Sequence, residues 1–265
     1  VTVIQSRSQL LGQEDPDSAA EVAKILREDG VEILLNARAK KVSRVARGFT
    51  VEVMVEGKTQ MVGGTDLLLA VGRTPNTDAL QLASAGIETD EKGFIRANDR
   101  LETSAPGVYV IGDVKGGPQF THISYDDFRI LKTNLLDGGL RTTRDRMVPF
   151  TVFMDPQFAR VGMTEAEAQK SGRQIRVARM AMNYVARALE VDEARGLMKA
   201  MVDADTQEIV GATVLGLEGG ELMAVIQMAM MGHLKYGVLR DAVLAHPTLA
   251  ESVNNLFLHF DDGKP

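Results

Sequence analysis

The first 35 residues place two apolar strands on either side of one amphipathic helix, an order that few folds accommodate. Residues 1–5 and residues 31–35 are short apolar runs, and apolar side chains recur at helical spacing between Pro16 and Asp29. Gly30 ends the helix, as glycine commonly does. A strand, a helix and a second strand in succession predict an α/β fold with a parallel sheet.

Three strands with alternating polar and apolar residues follow, separated by short turns that contain glycine, as antiparallel hairpins are. These strands are residues 42–45, 49–55 and 58–62. Residues 66–71, DLLLAV, are almost continuously apolar, as a strand that is covered on both faces would be. This order is that of half a nucleotide-binding α/β unit, since no glycine-rich turn precedes the first strand.

The elements change in character after Asn76. The middle of the chain contains a short helix near Ala79–Ala85, a strong strand at Val108–Ile111 and a helix at Ser124–Leu136. From residue 148 onward, strands are followed by helices, which predicts an α+β domain with its helices against a sheet face. Thr164 and Glu167 are spaced as a capping box at the start of one of these helices.

Composition excludes several classes of protein. The chain has 30 basic and 36 acidic residues, a net charge of −6, which does not suit a nucleic-acid partner. It contains no cysteine, which excludes disulfides and a catalytic thiol within these residues, and its four histidines are not spaced as metal ligands. No apolar run is long enough to span a membrane, and the first residues lack the features of a secretory signal. We therefore expect a cytoplasmic protein without a metal site.

A strand that ends in Gly112-Asp113 is the first candidate site. The sequence YVIGDV places the Asp113 carboxylate at the carboxyl end of an apolar strand, where open α/β sheets bind ligands. Glycine permits a close approach of the backbone, and an aspartate accepts hydrogen bonds from ligand hydroxyl groups. A simple turn is the alternative, because Gly-Asp and the following Gly-Gly-Pro are common in loops.

A second candidate segment, LLLAVGRTPN, ends at Asn76. In this segment a predicted buried strand is followed by a tight bend that carries the Arg73 guanidinium. A turn that crosses between domains, with a solvated arginine, is the alternative interpretation.

The third candidate segment is HPTLAES, which begins at His246. Pro247 restricts His246 to an extended conformation, and Glu251 lies where its carboxylate can orient the imidazole, as a general base requires. Thr248 and Glu251 also fit a capping box, in which the glutamate only caps the following helix.

Together, LLLAVGRTPN, VYVIGDV and HPTLAES resemble, in the same order, the motifs of the FAD-dependent pyridine nucleotide–disulfide oxidoreductases. That family includes dihydrolipoamide dehydrogenase, glutathione reductase and mercuric reductase. The resemblance extends over essentially the whole chain. The text between the motifs looks most like the branch that contains the reactive-chlorine-resistance flavoprotein and the mercuric-reductase-like enzymes.

The resemblance implies a fold class of α/β plus α+β, with part of a Rossmann-like NAD(P)/FAD-binding region followed by an α+β dimerisation domain. Residues 1–72 would form the second half of the NAD(P)H-binding domain. Residues 73–147 would be the returning segment of the FAD-binding domain, and residues 148–265 the C-terminal dimerisation domain of a homodimer.

The resemblance also implies roles for the candidate residues. Asp113, beside Gly112, would hold the ribityl hydroxyls of FAD, and Thr121 would lie against the flavin. His246 and Glu251 would match the family's proton-transfer dyad, which reaches into the partner subunit's active site. The nicotinamide nucleotide site would be lined by Ala70, Val71, Gly72 and Arg73.

The end of the first strand indicates which nicotinamide cofactor is used. In NAD-preferring members, the matching strand ends in an acid that binds the ribose hydroxyls. Gln5 occupies this place, and Arg7 follows two residues later. The missing acid removes repulsion toward a 2′-phosphate, and an arginine can pair with that group. We predict NADPH rather than NADH, with a merely solvated Arg7 as the alternative.

The family's redox cysteine pair and both of its glycine-rich turns are missing from these residues. We therefore expect a C-terminal fragment, inactive by itself, of an enzyme that passes hydride from NAD(P)H through FAD to a cysteine pair and on to a disulfide or another small-molecule electron acceptor. Mercuric ion is a poor match, because the C-terminal cysteine pair of mercuric reductase is also missing. Dihydrolipoamide dehydrogenase and a non-catalytic dimerisation fragment are the alternatives.

Residues 220–234, GELMAVIQMAMMGHL, predict a helix that is apolar almost all round. Its methionines could suggest a soft-metal site. Such a helix is more typical of a core or a subunit interface, and we assign it to the homodimer interface. The polar end of the chain, residues 261–265, is expected to fray.

Overall fold

The computed structural model describes residues 1–261, so residues 262–265 of the polar end lie outside the described part. The chain divides into two compact units. One comprises residues 1–68 together with the chain from Pro149 onward, and the other comprises residues 69–148. Each unit is described by itself.

The first unit opens with the predicted strand, helix and strand. β1 (Thr2–Ile4) pairs in parallel with β2 (Glu32–Leu34), and α1 (Pro16–Glu28) connects them. Val22 and Ile25 on the inner face of α1 are buried. A separate antiparallel sheet follows, made of β3 (Ala37–Val45), β4 (Gly48–Val55) and β5 (Lys58–Gly64) in that order.

The second unit has little regular structure. Its one long helix in the described chain is α2 (Thr121–Leu135), which buries Ile123, Asp127 and Ile130. Three short 3₁₀ turns precede it, at Asp78–Leu80, Leu82–Ala85 and Asp113–Lys115.

A five-stranded antiparallel sheet with helices forms the remainder of the first unit. The strand order is β6-β7-β10-β9-β8. The strands are β6 (Phe150–Val152), β7 (Gln157–Gly162), β8 (Ile175–Ala181), β9 (Leu197–Asp203) and β10 (Ile209–Gly216). The helices are α3 (Glu165–Lys170), α4 (Ala186–Glu190), α5 (Gly219–Met231), α6 (Tyr236–Arg240) and α7 (Ser252–Leu256), with a 3₁₀ turn at Met182–Tyr184. The predicted capping box of Thr164 and Glu167 is present at the start of α3.

Two predicted strands do not form. Residues 66–71 are irregular, and the Leu68 and Val71 side chains are 89% and 90% exposed. Residues 108–111 contribute only an isolated bridge between Tyr109 and Glu102. A parallel strand obtains its backbone hydrogen bonds and its apolar cover from its neighbours. No strand of the described chain lies beside either segment, so the predictions from apolar composition were wrong here.

Helix α5 has two different apolar faces. Leu222, Met223 and Ile226 are buried, whereas Met228 and Met231 on the other side are 59% and 56% exposed. The helix therefore packs on the sheet with one face and leaves an apolar strip uncovered.

A buried ion cluster fastens α1 to the five-stranded sheet. Lys199 on β9 is fully buried, and its ammonium lies 2.8 Å from Asp15 Oδ2, 2.8 Å from Asp17 Oδ1 and 3.2 Å from Glu165 Oε2. Asp15 also accepts hydrogen bonds from the backbone N–H groups of Glu165 and Ala166 at the start of α3. The three donors of the ammonium are thus matched by three carboxylates.

The charged forms of the cluster are mutually stabilised. Burial by itself raises the pKa of Asp15, but hydrogen bonds from Lys199 and the Glu165 amide outweigh it and hold the pKa below its ordinary value. The pKa of Asp17 is lowered in the same balance. Burial lowers the pKa of Lys199, but the two aspartates outweigh it and raise the pKa above its ordinary value. Asp15, Asp17 and Lys199 therefore stay ionised at neutral pH.

Candidate functional site

The Gly112-Asp113 turn presents a carboxylate to solvent on a backbone that only glycine can supply. Gly112 is buried with φ +74°, and a Cβ at this position would lie 2.8 Å from Ser124 Oγ. Asp113 begins the following 3₁₀ turn, and its side chain is 55% exposed. The close approach of the Gly112 backbone to α2 fixes where the Asp113 carboxylate emerges.

Arg73 lies beside this turn. Its Nη1 is 3.6 Å from Asp113 Oδ2 and donates a hydrogen bond of 3.2 Å to the Gln119 carbonyl. Both charged side chains are largely exposed, so the ion pair itself contributes about 0–1 kcal/mol. The three residues before Arg73 are irregular and exposed, and they are Ala70, Val71 and Gly72. Two of the three predicted motifs are therefore adjacent within one unit.

Thr121 is the first residue of α2 and is exposed. On either side of it, the rings of Phe120 and His122 stack with centroids 5.2 Å apart. The same unit thus contains an exposed carboxylate, a glycine turn and a helix start. Such acceptors and closely approached backbone fit a cofactor that carries a row of hydroxyl groups, as the ribityl chain of FAD does.

Asp127 was not among the residues predicted from the sequence. It is completely buried on α2, where one carboxylate oxygen accepts a 2.9 Å hydrogen bond from the Gly112 N–H and the other lies 2.6 Å from Arg146 Nη1. Lys115 Nζ is 3.3 Å from the same group. Helical spacing could have found it, because Asp127 stands four residues after Ile123 and three before Ile130, on the buried face of α2. A carboxylate on a buried face requires charged partners.

His246 and Glu251 form a direct pair. His246 Nδ1 lies 2.9 Å and 3.0 Å from the two carboxylate oxygens of Glu251. The imidazole is 68% exposed, whereas Glu251 is 18% exposed. The carboxylate therefore orients the ring, and Nε2 remains directed away from Glu251 for a proton-transfer partner.

The alternative capping box is only half formed. The backbone N–H of Glu251 donates to Thr248 Oγ1 at 3.3 Å, but the Glu251 carboxylate binds His246 rather than the backbone of Thr248. Helix α7 begins at Ser252, later than the start that a capping box at Thr248 predicts.

The surroundings of His246 contain two residues that the sequence analysis did not single out. Asn254 Nδ2 donates to the carbonyls of Leu239 and Ala242 at 2.5 Å and 3.1 Å, which holds the segment leading to His246. Tyr184 is largely exposed. Both residues line a cavity beside His246, whose lining consists of Tyr184, Val185, Ala186, His246, Glu251, Ser252, Asn254 and Asn255.

Gln5 and Arg7 lie directly after β1. Gln5 Oε1 accepts a 3.0 Å hydrogen bond from the Arg7 backbone N–H, and Arg7 Nη1 lies 3.4 Å from the Gly12 carbonyl. The Arg7 side chain is exposed. A glutamine amide and a guanidinium therefore occupy the strand end, where an acid would repel a phosphate.

Residues 1–261 contain no group of three or more His, Asp or Glu side chains placed to hold a metal ion. Within the same range, no helix has both the length and the apolar character needed to cross a membrane.

Family models for two parts of the same enzyme class match most of the chain. Residues 1–127 match the model described as pyridine nucleotide-disulphide oxidoreductase, and residues 148–257 match the dimerisation domain of that family. The chain belongs to the pyridine nucleotide–disulphide oxidoreductase family. The predicted family and fold class are thereby confirmed. Members of this family are FAD-dependent and use a pyridine nucleotide.

Individual relatives agree with the family match. The probable pyridine nucleotide-disulfide oxidoreductase RclA of Escherichia coli is 41% identical, over 97% of this chain and 58% of its own length. A structure titled HOCl-induced flavoprotein disulfide reductase RclA superposes with a TM-score of 0.92 at 40% identity, covering 97% of this chain and 59% of the other.

Two other kinds of enzyme match over a similar range. The dihydrolipoyl dehydrogenase of Thermus scotoductus is 34% identical over 96% of this chain and 55% of its own length. The mercuric reductase of Staphylococcus aureus is 31% identical over 98% of this chain and 48% of its own length. The chain therefore spans about half the length of these relatives.

Proposed function

We propose that the chain is the C-terminal part of a homodimeric, cytoplasmic reductase that passes hydride from NADPH through FAD to a cysteine pair outside these residues, and on to a disulfide or another small oxidant. The observation that carries this proposal is the exposed Asp113 carboxylate on a glycine turn that admits no side chain. The exposed apolar segment at residues 66–71 supports a longer protein, because such a segment needs neighbouring strands.

FAD, when bound, supplies the hydride acceptor for the nicotinamide and the electron donor for the cysteine pair. Asp113 would accept hydrogen bonds from the ribityl hydroxyls, and Thr121 would lie against the flavin. Ala70, Val71, Gly72 and Arg73 would line the nicotinamide nucleotide site. His246 holds and moves a proton at Nε2, while Glu251 binds Nδ1 and keeps the ring in one orientation.

The domain assignment follows the same proposal. Residues 1–72 complete an NAD(P)H-binding domain, residues 73–147 return to the FAD-binding domain and residues 148–265 form the dimerisation domain. The uncovered apolar strip of α5, with Met228 and Met231, supplies the kind of surface that a permanent subunit interface buries.

Uptake of FAD by the full-length protein tests this proposal. We expect a yellow protein, and we expect D113A to weaken FAD binding about tenfold or more, because a charged acceptor is lost from the ribityl hydroxyls. The measurement is FAD titration of the apoprotein. D137A is the matched control, because Asp137 is an exposed aspartate of the same unit that pairs only with Lys132 in the described chain. A full-length protein that takes up no FAD would contradict the proposal.

The nicotinamide preference gives an independent prediction. We expect a higher kcat/KM with NADPH than with NADH, and we expect R7A to lower the NADPH value about tenfold while NADH is little affected, because Arg7 would pair with the 2′-phosphate. R27A, an exposed arginine on α1, is the control. A clear preference of the wild type for NADH would end this assignment.

Two other interpretations remain distinguishable. Dihydrolipoamide dehydrogenase activity is favoured by the relative from Thermus scotoductus and by the His246–Glu251 pair, and oxidation of dihydrolipoamide with NAD tests it. A non-catalytic dimerisation fragment would be purified as a colourless protein of 28.8 kDa per subunit. A yellow subunit of much greater mass would contradict the fragment interpretation.

A further inference from the structure

The carboxylate of Asp127 is completely buried, yet neither proposed cofactor site contains it. Burying a carboxylate costs free energy unless charged and hydrogen-bonding partners compensate. Asp127 has three such partners, which are the Gly112 amide, Lys115 and Arg146. Two of them belong to the segment that immediately surrounds Asp113, so the cluster acts on the loop that carries the proposed flavin ligand.

The hydrogen bond to Gly112 fixes the backbone from which Asp113 projects. Gly112 has φ +74°, and glycine adopts positive and negative φ values about equally readily. Its own conformational preference therefore does not fix the backbone here. The 2.9 Å bond from its N–H to the buried Asp127 carboxylate selects one orientation. Bonds to an ionised acceptor are stronger than those between neutral groups. The Asp127 carboxylate on α2 therefore fixes the direction in which the Asp113 side chain projects.

Asp127 also engages Lys115. The ammonium lies 3.3 Å from Asp127 Oδ2, and the lysine side chain is only 9% exposed. Lys115 follows Asp113 by two residues, but within residues 1–261 no ion pair joins them. An ammonium released from Asp127 would be close enough in sequence to pair with the Asp113 carboxylate and compete with ligand hydroxyls for it.

We propose that Asp127 is a positioning residue for the flavin site. It binds the Gly112 amide and thereby aims Asp113, and it holds Lys115 away from the Asp113 carboxylate. This inference rests on the proposed function, because it assigns Asp113 to FAD.

The test is FAD binding by apoprotein variants of the full-length enzyme. D127N keeps the size of the side chain but sets an amide NH₂ against the donors of Gly112, Lys115 or Arg146. We expect the Kd for FAD to rise about tenfold or more in D127N. We expect D127E, which restores the carboxylate, to recover most of this loss. The urea midpoint of each apoprotein is measured in parallel, so that a loss of folding is separated from a loss of positioning.

Asp126 supplies the matched control. It is the preceding residue on α2, its carboxylate pairs with Arg141 at 3.1 Å and with Arg146 at 3.4 Å, and it makes no contact with Gly112. D126N removes the same charge and weakens the same arginine pairing. We expect its Kd for FAD to stay within about twofold of the wild type, as for a partly exposed ion pair.

The outcomes separate this inference from the proposed function. A wild-type protein that binds no FAD overturns the proposed function and this assignment with it. A wild type that binds FAD, with folded D127N and D126N of equal affinity, overturns only the role of Asp127.

If D127N does not fold, hydrogen exchange of the wild-type apoprotein decides. The Gly112 amide should exchange far more slowly than that of Gly117, an exposed loop residue with φ +73°. Equal rates would overturn the proposal.

Discussion

Replacing His246 by alanine in the full-length protein is expected to lower turnover about 100-fold or more while leaving the rate of flavin reduction by NADPH unchanged. General acid–base groups commonly contribute about 10²–10⁴ to a rate, and the imidazole is the candidate for that role here. Steady-state turnover with a disulfide substrate and rapid-mixing measurement of flavin reduction separate the two steps. The separation is informative because the dyad is proposed to serve the cysteine pair rather than the nicotinamide.

Two further variants define the contribution of the dyad. E251Q retains the size of Glu251 but removes the charge that orients Nδ1, so we expect a smaller loss, about tenfold. H233A is the matched control, because His233 also places Nδ1 near a glutamate, 3.3 Å from Glu208, on an exposed surface. Turnover of H246A equal to that of H233A would remove the dyad from the mechanism.

Replacing Lys199 by methionine is expected to destabilise the protein by about 3–5 kcal/mol. The substitution keeps an unbranched chain in the buried space but leaves Asp15, Asp17 and Glu165 without their shared cation. Asp15 is itself buried, so its uncompensated charge carries much of the cost. The measurement is the change in the free energy of unfolding in urea, followed by circular dichroism.

An exposed lysine provides the comparison. Lys24 pairs with Glu21 at 2.9 Å on the surface of α1, and K24M should change the free energy of unfolding by less than about 0.5 kcal/mol. Combining K199M with D15N should recover part of the loss, because asparagine removes the unpaired charge and keeps an acceptor for the backbone amides at the start of α3. If K199M and K24M had equal effects, the buried cluster would not fasten α1 to the sheet.

Local signals in the sequence predicted most of the elements. The helix from Pro16 to Glu28 has an apolar stripe, a proline at its start and a glycine after its end. The hairpins of β3, β4 and β5 and the capping box at Thr164 depend on neighbouring residues in the same way. Such features are specified mainly by residues that are close in sequence, which is why local patterns predict them.

Features that depend on distant partners were harder to predict. The apolar run at residues 66–71 has the composition of a buried strand, but burial requires neighbours that composition cannot supply. Lys199 lies in an otherwise apolar strand, and nothing in its local sequence indicates that residues 15 and 17 meet it. For the dyad, the spacing of His246 and Glu251 suggested both a pair and a cap. In the structure the Glu251 carboxylate binds His246, and only its backbone N–H bonds to Thr248.

The uncovered apolar segments have a practical consequence for anyone who produces these 265 residues in isolation. Exposed apolar side chains promote association between copies of a chain, and the side chains of Leu68 and Val71 are almost fully exposed. Recombinant yield of the isolated polypeptide should therefore be limited by aggregation. If the chain is part of a longer enzyme, as proposed, co-expression with the remaining portion should improve its solubility.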